Sequence, residues 1–330
     1  MTILVTGASG FIGGEFARFA LQQGLSVRIN GRRAEAVAGL RVLGAEYVEG
    51  DLGDAAFVRE LCQGVDAVVH CAGAVGVWGP YAHFHHGNVT VTEHVVDACL
   101  AQGVRRLLHL SSPSVYFDGR SHVGIREDQL PQRFSDHYGR TKYLAEQRVF
   151  AAQAAGLEVL AFRPRFVTGA GDTSIFPRLI DMQRRGRLAI IGEGRNQVDF
   201  TSVENLNQAL FLGLQAEEQA LGRVYNISDG QPQPLWDVVD YVMRRLDLPP
   251  VTRRVPYALA YAAASLGETV CRWLPGQPEP PLLRLGVAVM ARSFSLDISQ
   301  ARLRLGYQPR DALRDSLDAF CAAWRARGDA

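Results

Sequence analysis

The sequence predicts an α/β fold, a doubly wound parallel sheet followed by a smaller, mainly helical C-terminal part. Three observations carry this expectation. The chain opens on a strand, a glycine-rich turn and a helix; short apolar strands then alternate with helical patterns as far as about residue 165; beyond that point helices dominate and the alternation loosens.

Ile3, Leu4 and Val5 form the short apolar run of a buried parallel strand. Gly7, Gly10 and Gly13 follow at a spacing of three, so the backbone turns tightly and comes close to a ligand. The helix that follows, FIGGEFARFALQQG, begins with unpaired N–H groups and the positive end of its dipole at the turn, which suits a pyrophosphate. This is the context of a Rossmann-type dinucleotide fingerprint, and its cofactor-binding candidates are Gly7, Ser9, Gly10, Phe11, Ile12 and Gly13.

LSVRIN reads as the second strand and EYVEGDL contains the third, with RRAEAVAGLRVLGA at helical spacing between them. In NAD-binding units an acid near the end of the second strand receives the ribose 2′-OH. Here the strand ends Asn30-Gly31-Arg32-Arg33, with no acid and two arginines, so a 2′-phosphate is accommodated and NADP(H) is favoured over NAD(H). The plainer alternative is that Arg32 and Arg33 start a solvated helix face. Asp51 and Leu52 follow the third strand, where the carboxylate meets an adenine amino group or caps the helix beginning near Asp54.

VDAVVHCAG is the fourth strand, and Ala72 and Gly73 at its end leave room for the cofactor. His83, His85 and His86 cluster just beyond, but no carboxylate or cysteine is spaced to complete a metal site, and no metal is expected. FHHGNVTVTEHVVDACLAQG reads as one long helix leading to a fifth strand, RRLLHLSS. That strand ends in Ser111 and Ser112, where open α/β sheets place their ligands.

SDHYGRTKYLAEQRVFAAQAAG reads as a helix with Ser135 or Asp136 as N-cap. Tyr138 and Lys142 then fall at i and i+4 on one face. A neighbouring ammonium is expected to lower the phenol pKa from about 10 and fit Tyr138 for proton transfer to a carbonyl or from an alcohol. Lys142 is the only lysine among 35 lysines and arginines, a compact ammonium kept where every other cation is a guanidinium.

Composition narrows the class. The 330 residues are 47% hydrophobic and 21% charged, which suits a soluble globular protein with a substantial core, and the net charge of +1 gives no reason to expect nucleic acid as a partner. Five scattered cysteines without CxxC spacing, and a first strand that leaves no room for a signal peptide, lead to the expectation of a reduced cytoplasmic protein. Ala67 to Thr92 lacks charge but is broken by glycines, Pro80 and histidines, so no spanning helix is expected there.

After residue 165 come the helical patterns IFPRLIDMQRR, VENLNQALFLGL, LWDVVDYVMRRL and LRDSLDAFCAAWRA, separated by short strands and loops such as PGQPEPP. The expected division is residues 1–165 for NADP(H) and 166–330 for a substrate-binding lid, with some segments returning to the first domain. Val255 to Gly267 carries no charge and holds Tyr257 and Tyr261. It is too short to span a bilayer, and three roles stay open: lining an apolar pocket, resting on a membrane surface, or packing as a core helix.

TGASGFIG, GDL, HCAG, FHHGNVTVT, LSSPSVYF and YGRTK together resemble the extended short-chain dehydrogenase/reductase superfamily, which includes the NAD-dependent epimerases and dehydratases. FRPRFVTGAGD, VDFTSVENL, YNISDG, SFSLDISQARLRLGYQP and PYALAYAAASLGE resemble its 3β-hydroxysteroid dehydrogenase branch, which also contains 2-alkyl-3-keto acid reductases. The resemblance implies that Ser112 hydrogen-bonds the substrate oxygen, Tyr138 transfers the proton, Lys142 holds the nicotinamide ribose, and Pro164 and Val167 border the nicotinamide. It implies an enzyme interconverting a ketone and a secondary alcohol on a bulky apolar small molecule, and a homodimer is among the family's habits. The paired arginines depart from the acid that much of the branch carries. A nucleotide-sugar epimerase with bound NAD is the alternative within the fold; a sugar dehydratase would want carboxylates where Pro113 and Ser114 stand. A non-catalytic dinucleotide-sensing protein is the alternative of another class, against which the complete Tyr/Lys pair speaks.

Overall fold

The computed structural model describes residues 1–310 and 312–328; position 311 and the last two residues of the expected lid segment lie outside it. The chain begins with β1 (Thr2–Thr6), α1 (Phe11–Gln22), β2 (Ser26–Gly31) and β3 (Glu46–Glu49). It continues with α2 (Ala55–Leu61), β4 (Ala67–His70), α3 (Val91–Gln102), β5 (Arg106–Leu110) and α4 (His137–Ala151). β6 (Glu158–Pro164), α5 (Val203–Leu214) and β7 (Arg223–Ile227) complete the nucleus.

The strands form one parallel sheet in the order β3-β2-β1-β4-β5-β6-β7. The order reverses between β1 and β4, which opens a crevice at their C-terminal ends. Ile3 and Val5 face a core shared with Phe16 of α1 and with Leu206 and Leu210 of α5. Leu4 faces the opposite core with Val58 of α2, Val95 of α3 and Val149 of α4. Alternate side chains of one strand therefore serve two helical layers, the arrangement that makes buried parallel strands read as continuous apolar runs. α5 and β7 come from beyond residue 165, so the sheet is closed by the second half of the chain.

Two predicted helices differ in detail. The segment after β2 forms only a turn of 3₁₀ helix at Glu35–Val37 and five helical residues at Ala38–Val42, because just Val37 and Leu40 reach the core. The long helix starts earlier, at Tyr81, and changes to a π turn over His86–Thr90 before α3. Gly87 packs so closely there that a Cβ would lie 2.6 Å from that of Ala74. Asp136, a candidate cap, accepts from Gly139 N–H at 2.7 Å; the cap of α2 is Asp54, which accepts from Ala56 and Phe57 N–H, and not the expected Asp51. Asp51 closes a turn on Gly53 N at 2.9 Å.

The C-terminal helices have a core of their own, in which Phe176, Ile180, Val198, Val239 and Phe320 meet. Two further helices, α6 (Tyr257–Trp273) and α7 (Arg284–Ala291), pack together through Ala260, Ala264 and Val287. α6 turns Leu259, Leu266 and Trp273 outward, 63%, 68% and 87% exposed. Among the described residues no helix is long and apolar enough to cross a membrane.

α4 is fixed to the sheet by charge. Arg163 of β6 and Glu146 of α4 are both buried and form a two-point pair, with Arg163 Nε donating to Glu146 Oε1 at 2.8 Å and the second nitrogen to Oε2. Ser111 donates to the same carboxylate, and Arg163 also donates to the Tyr116 hydroxyl, which in turn donates to Asn226 of β7 at 2.7 Å. Glu146→Gln leaves the Arg163 charge buried without its counter-ion. The expected loss is about 3–5 kcal/mol in urea unfolding, with the Glu146→Leu/Arg163→Met double variant less destabilised than the single one. Equal stability of Glu146→Gln and the unsubstituted protein would contradict this account.

Candidate active site

The glycine turn has the geometry a dinucleotide needs. Gly7 is left-handed at φ 70° and lies so near β4 that a Cβ would come within 2.8 Å of Ala72 Cα; a Cβ on Gly13 would come within 2.6 Å of Gly7 O. Gly10 is the N-cap of α1 and offers no side-chain acceptor, so the first amides of the helix are left to a ligand. Ser9 flanks the end of β2; Arg32 and Arg33 are both exposed, and Arg33 folds across to donate to Ser9 O at 2.9 Å. Phe11 and Ile12 are half-buried against the first core.

The other candidates divide between the crevice and the core. Gly73 is exposed beside the crevice, and Pro164 and Val167 are buried where β6 gives way to the lid. Asn30 instead turns into the sheet, donating to Val48 O at 3.1 Å and Gly50 O at 3.3 Å. The side chain of Leu52 packs in the second core.

Tyr138 and Lys142 lie on α4 one turn apart, as their spacing requires. The Tyr138 phenol is half-buried beside the Ser112 hydroxyl. Ser112 Oγ also meets Ser114 Oγ at 2.5 Å and accepts from Ser114 N at 3.2 Å, so the 113–116 turn holds the hydroxyl in place. Ser111, the neighbouring alternative, is committed to Glu146. The expected lowering of the phenol pKa is corrected by the structure: burial pushes it above its usual value, the neighbouring Ser112 hydroxyl offsets this in part, and the Asp136 charge adds to the rise. The Lys142 ammonium does not face the phenol but donates to Leu110 O at the end of β5. Burial draws its pKa down to about 8, against the stabilising charge of Glu146.

Asn88 is the polar residue that the sequence reading missed. It sits in the π turn, donates to Thr141 Oγ1 of α4 at 3.0 Å, and leaves its buried Oδ1 without a partner among the described residues. A Cβ on Gly73 would lie 2.8 Å from that oxygen and 3.7 Å from Lys142 Nζ, so the vacant glycine side chain, the amide and the ammonium adjoin. This unpartnered acceptor, the bare helix terminus and the glycine cradle together fit a dinucleotide whose sugar hydroxyls need partners. Gly87-Asn88, poor helix formers inside a helical run, were the available signal.

A chain of hydrogen bonds supports the π turn from below. Ala72 N–H donates to Thr6 Oγ1 at 3.3 Å, and Thr6 Oγ1 lies 2.8 Å from His70 Nδ1. His70 Nε2 lies 3.1 Å from Thr92 Oγ1, which donates to Asn88 O at 2.6 Å. Since the Thr92 proton is engaged, His70 carries its proton on Nε2 and accepts from Thr6 at Nδ1. Burial, reinforced by the Lys142 charge, lowers the His70 pKa to about 3 and keeps the ring neutral.

Above Tyr138 lies a cavity of about 700 Å³, walled by Trp78, Phe84, Phe117, Phe134, Leu283 and Leu285. Tyr261 of α6 lines it, while Ala260 and Ala264 of the same charge-free segment pack in a core. His83 and His85 make ring contacts with Phe84 and Tyr81. Among the described residues no group of three His, Cys, Asp or Glu gathers as a metal site.

Residues 3–228 match the model of the NAD dependent epimerase/dehydratase family. The chain is 35% identical over 323 residues to a 2-alkyl-3-oxoalkanoate reductase of Stenotrophomonas maltophilia, covering 96% of this chain and 97% of that protein. It is 34% identical to a 4-hydroxy-2-methyl-3-oxo-4-farnesyl-3,4-dihydroquinoline-1-oxide ketoreductase of Stigmatella aurantiaca, over 97% of this chain and 96% of that one. The fold is also that of the UDP-glucuronic acid 4-epimerase of Bacillus cereus in complex with NAD, at a TM-score of 0.78 and 23% identity over 99% of each chain. A reversed-order parallel sheet, a glycine turn and a Ser/Tyr/Lys set on its rim thus meet a family match across most of the chain, and this protein belongs to the NAD dependent epimerase/dehydratase family, on the 3β-hydroxysteroid dehydrogenase-like branch of the extended short-chain dehydrogenase/reductases.

Proposed function

We propose that this protein is an NADP(H)-linked oxidoreductase that interconverts a ketone and a secondary alcohol on a bulky apolar substrate. The observation that carries this reading is the Tyr138 phenol standing beside the Ser112 hydroxyl at the edge of a cavity with aromatic walls, with Lys142 one turn further along the same helix. The named activities of the reductase and ketoreductase relatives are of the same reaction class.

Gly7, Gly10 and Gly13 would hold the cofactor pyrophosphate, Arg32 and Arg33 a phosphate on the adenosine ribose, Lys142 the nicotinamide ribose, and Pro164 and Val167 the nicotinamide face. When bound, that ring supplies or accepts a hydride at C4. Tyr138 donates its phenolic proton to the substrate oxygen in reduction and takes it back in oxidation, while the Ser112 hydroxyl donates a second hydrogen bond to the same oxygen. Two preorganised donors stabilise the charge developing there. A phenol held above its ordinary pKa stays protonated at neutral pH, which suits the reductive direction.

The NADP(H) preference is supported by the lack of an acid at the end of β2 and by Arg33 folding over Ser9.

Initial rates with NADPH and NADH, each with a 3-ketosteroid and a 2-alkyl-3-oxo acid, test the proposal. Tyr138→Phe is expected to lower kcat by about 10²–10⁴-fold while nucleotide affinity, read by fluorescence, stays within about twofold; a fully active variant refutes the assignment. Arg33→Ala is expected to weaken NADPH about tenfold and NADH little, since only the former carries the 2′-phosphate. With Lys142 held to about 8, its charge is present below that value and lost above it, so the reductive rate should fall as pH rises through about 8. A flat profile between about pH 7 and 10 would remove the ammonium from the mechanism.

A further inference from the structure

α6 is apolar on two sides, and only one of them is covered. Ala260 and Ala264 pack with Val287 of α7, and Glu268 on the same side is buried in its pair with Arg284, whose Nε donates to Oε2 at 2.8 Å. Leu259, Ala262, Ala263, Leu266, Val270 and Trp273 stand on the other side, all exposed. Offsets of 3, 4, 7, 11 and 14 from Leu259 are those of a single helix face, and no charge interrupts it. A continuous exposed apolar stripe marks a surface with a partner.

The charges at its ends select that partner. Between residues 251 and 278 the charged side chains are Arg253, Arg254, Glu268 and Arg272. The acid is buried and neutralised, whereas the arginines are exposed, two just before the helix and one in its last turn. A second copy of the chain fits poorly: with the two α6 helices side by side, parallel or antiparallel, each arginine end meets another arginine end. Phosphate headgroups supply the opposite charge at both ends while the stripe enters the acyl boundary, and an exposed tryptophan at a helix end suits that depth.

The stripe also adjoins the cavity. Tyr261 and Arg272 of α6 line it. The Arg272 guanidinium lies 5.6 Å from the centre of the Trp78 ring on the facing rim, where Trp78 Nε1 donates to Gln277 O at 2.9 Å. Val75, three residues earlier on the Trp78 loop, is exposed as well. Rim and stripe thus share the last turns of α6.

We propose that α6 rests its outer face on the surface of an anionic bilayer, and that the cavity takes its substrate directly from the lipid. The helix lies in the headgroup region and does not cross it, since no helix among the described residues is long and apolar enough to span. The docking stands on this surface alone; the loading step rests on the ketone–alcohol reading.

Sedimentation of the full chain with vesicles of equimolar phosphatidylglycerol and phosphatidylcholine, set beside vesicles of phosphatidylcholine alone, is the test. Binding to the mixed vesicles is expected to be at least about tenfold tighter, an advantage that fades with added salt. Leu266→Glu and Trp273→Glu lie at exposed positions outside the cavity lining. Each should weaken binding by about tenfold or more, while the circular dichroism spectrum and turnover of a short water-soluble ketone stay unchanged. A long-chain ketone carried in the vesicles should lose kcat/KM in both variants. The Arg253→Gln/Arg254→Gln double variant should lose most of the preference for anionic vesicles. No sedimentation with either vesicle, or binding that both glutamate variants retain, overturns the proposal. A dimer seen by light scattering and dissolved by the same variants, without vesicle binding, assigns the stripe to a second copy instead. Vesicle binding without turnover of any ketone upholds the docking and overturns the oxidoreductase reading.

Discussion

The buried Arg163–Glu146 pair is the constraint on which the site depends. A sheet and a helix held only by apolar contact can slide or rotate at small cost, but a planar guanidinium meeting both oxygens of a carboxylate permits one register. Glu146 lies one turn beyond Lys142 and two beyond Tyr138 on the same helix, so fixing it fixes them. The pair reaches further through Tyr116 and Asn226, whose amide donates to Ile125 O at 2.9 Å. β7, brought from the second half of the chain, is thereby tied to the turn that positions Ser112. Net stabilisation from such a pair is modest because both ions lose their water; its larger consequence is placement.

The same economy explains the single lysine. An arginine at 142 would bring a broad planar head into the space bounded by Leu110 O, Asn88 and the bare Gly73, where a Cβ would already come within 3.7 Å of Lys142 Nζ. An ammonium is compact and its three protons point freely, so one can be held by Leu110 O while others remain for a ligand. The π turn belongs to this arrangement, because the extra residue in the helix turns Asn88 toward α4, and the Thr6–His70–Thr92 chain holds the turn from the sheet side.

What could be read from the sequence was local chemistry. The glycine spacing, the Tyr138–Lys142 pair and the five apolar runs before residue 140 each depend on neighbours within one or two turns, and all appear in the fold where they were expected. The short helix after β2 and the π turn escaped because tertiary packing decided them: too few apolar anchors in one case, the close approach of Gly87 to Ala74 in the other. The phenol pKa went astray for a related reason. Spacing placed the ammonium on the right face, but burial and the competing acceptor at Leu110 O are properties of the assembled site. Asn30 likewise read as a ligand-facing residue, although its amide closes the loop after β3.

The substrate cavity is the least local part of the molecule. Its walls come from the loop after β4, the segments on either side of the 119–134 region, α6 and α7, joined across the molecule by Trp78 Nε1 donating to Gln277 O at 2.9 Å. No pattern within one element announces that Trp78, Phe134 and Arg284 will meet. Ser112, Tyr138 and Lys142, by contrast, sit on α4 and just past the end of β5, supported by the sheet, while the C-terminal helices have a separate core. Trp78, Phe134 and Arg284 are therefore held by other elements than the ones that hold Ser112 and Lys142. This separation gives a physical reason why one fold is found both in a UDP-glucuronic acid 4-epimerase and in a chain 35% identical to a 2-alkyl-3-oxoalkanoate reductase: the sheet and α4 fix the Ser/Tyr/Lys set, and the wall around it is assembled from elsewhere.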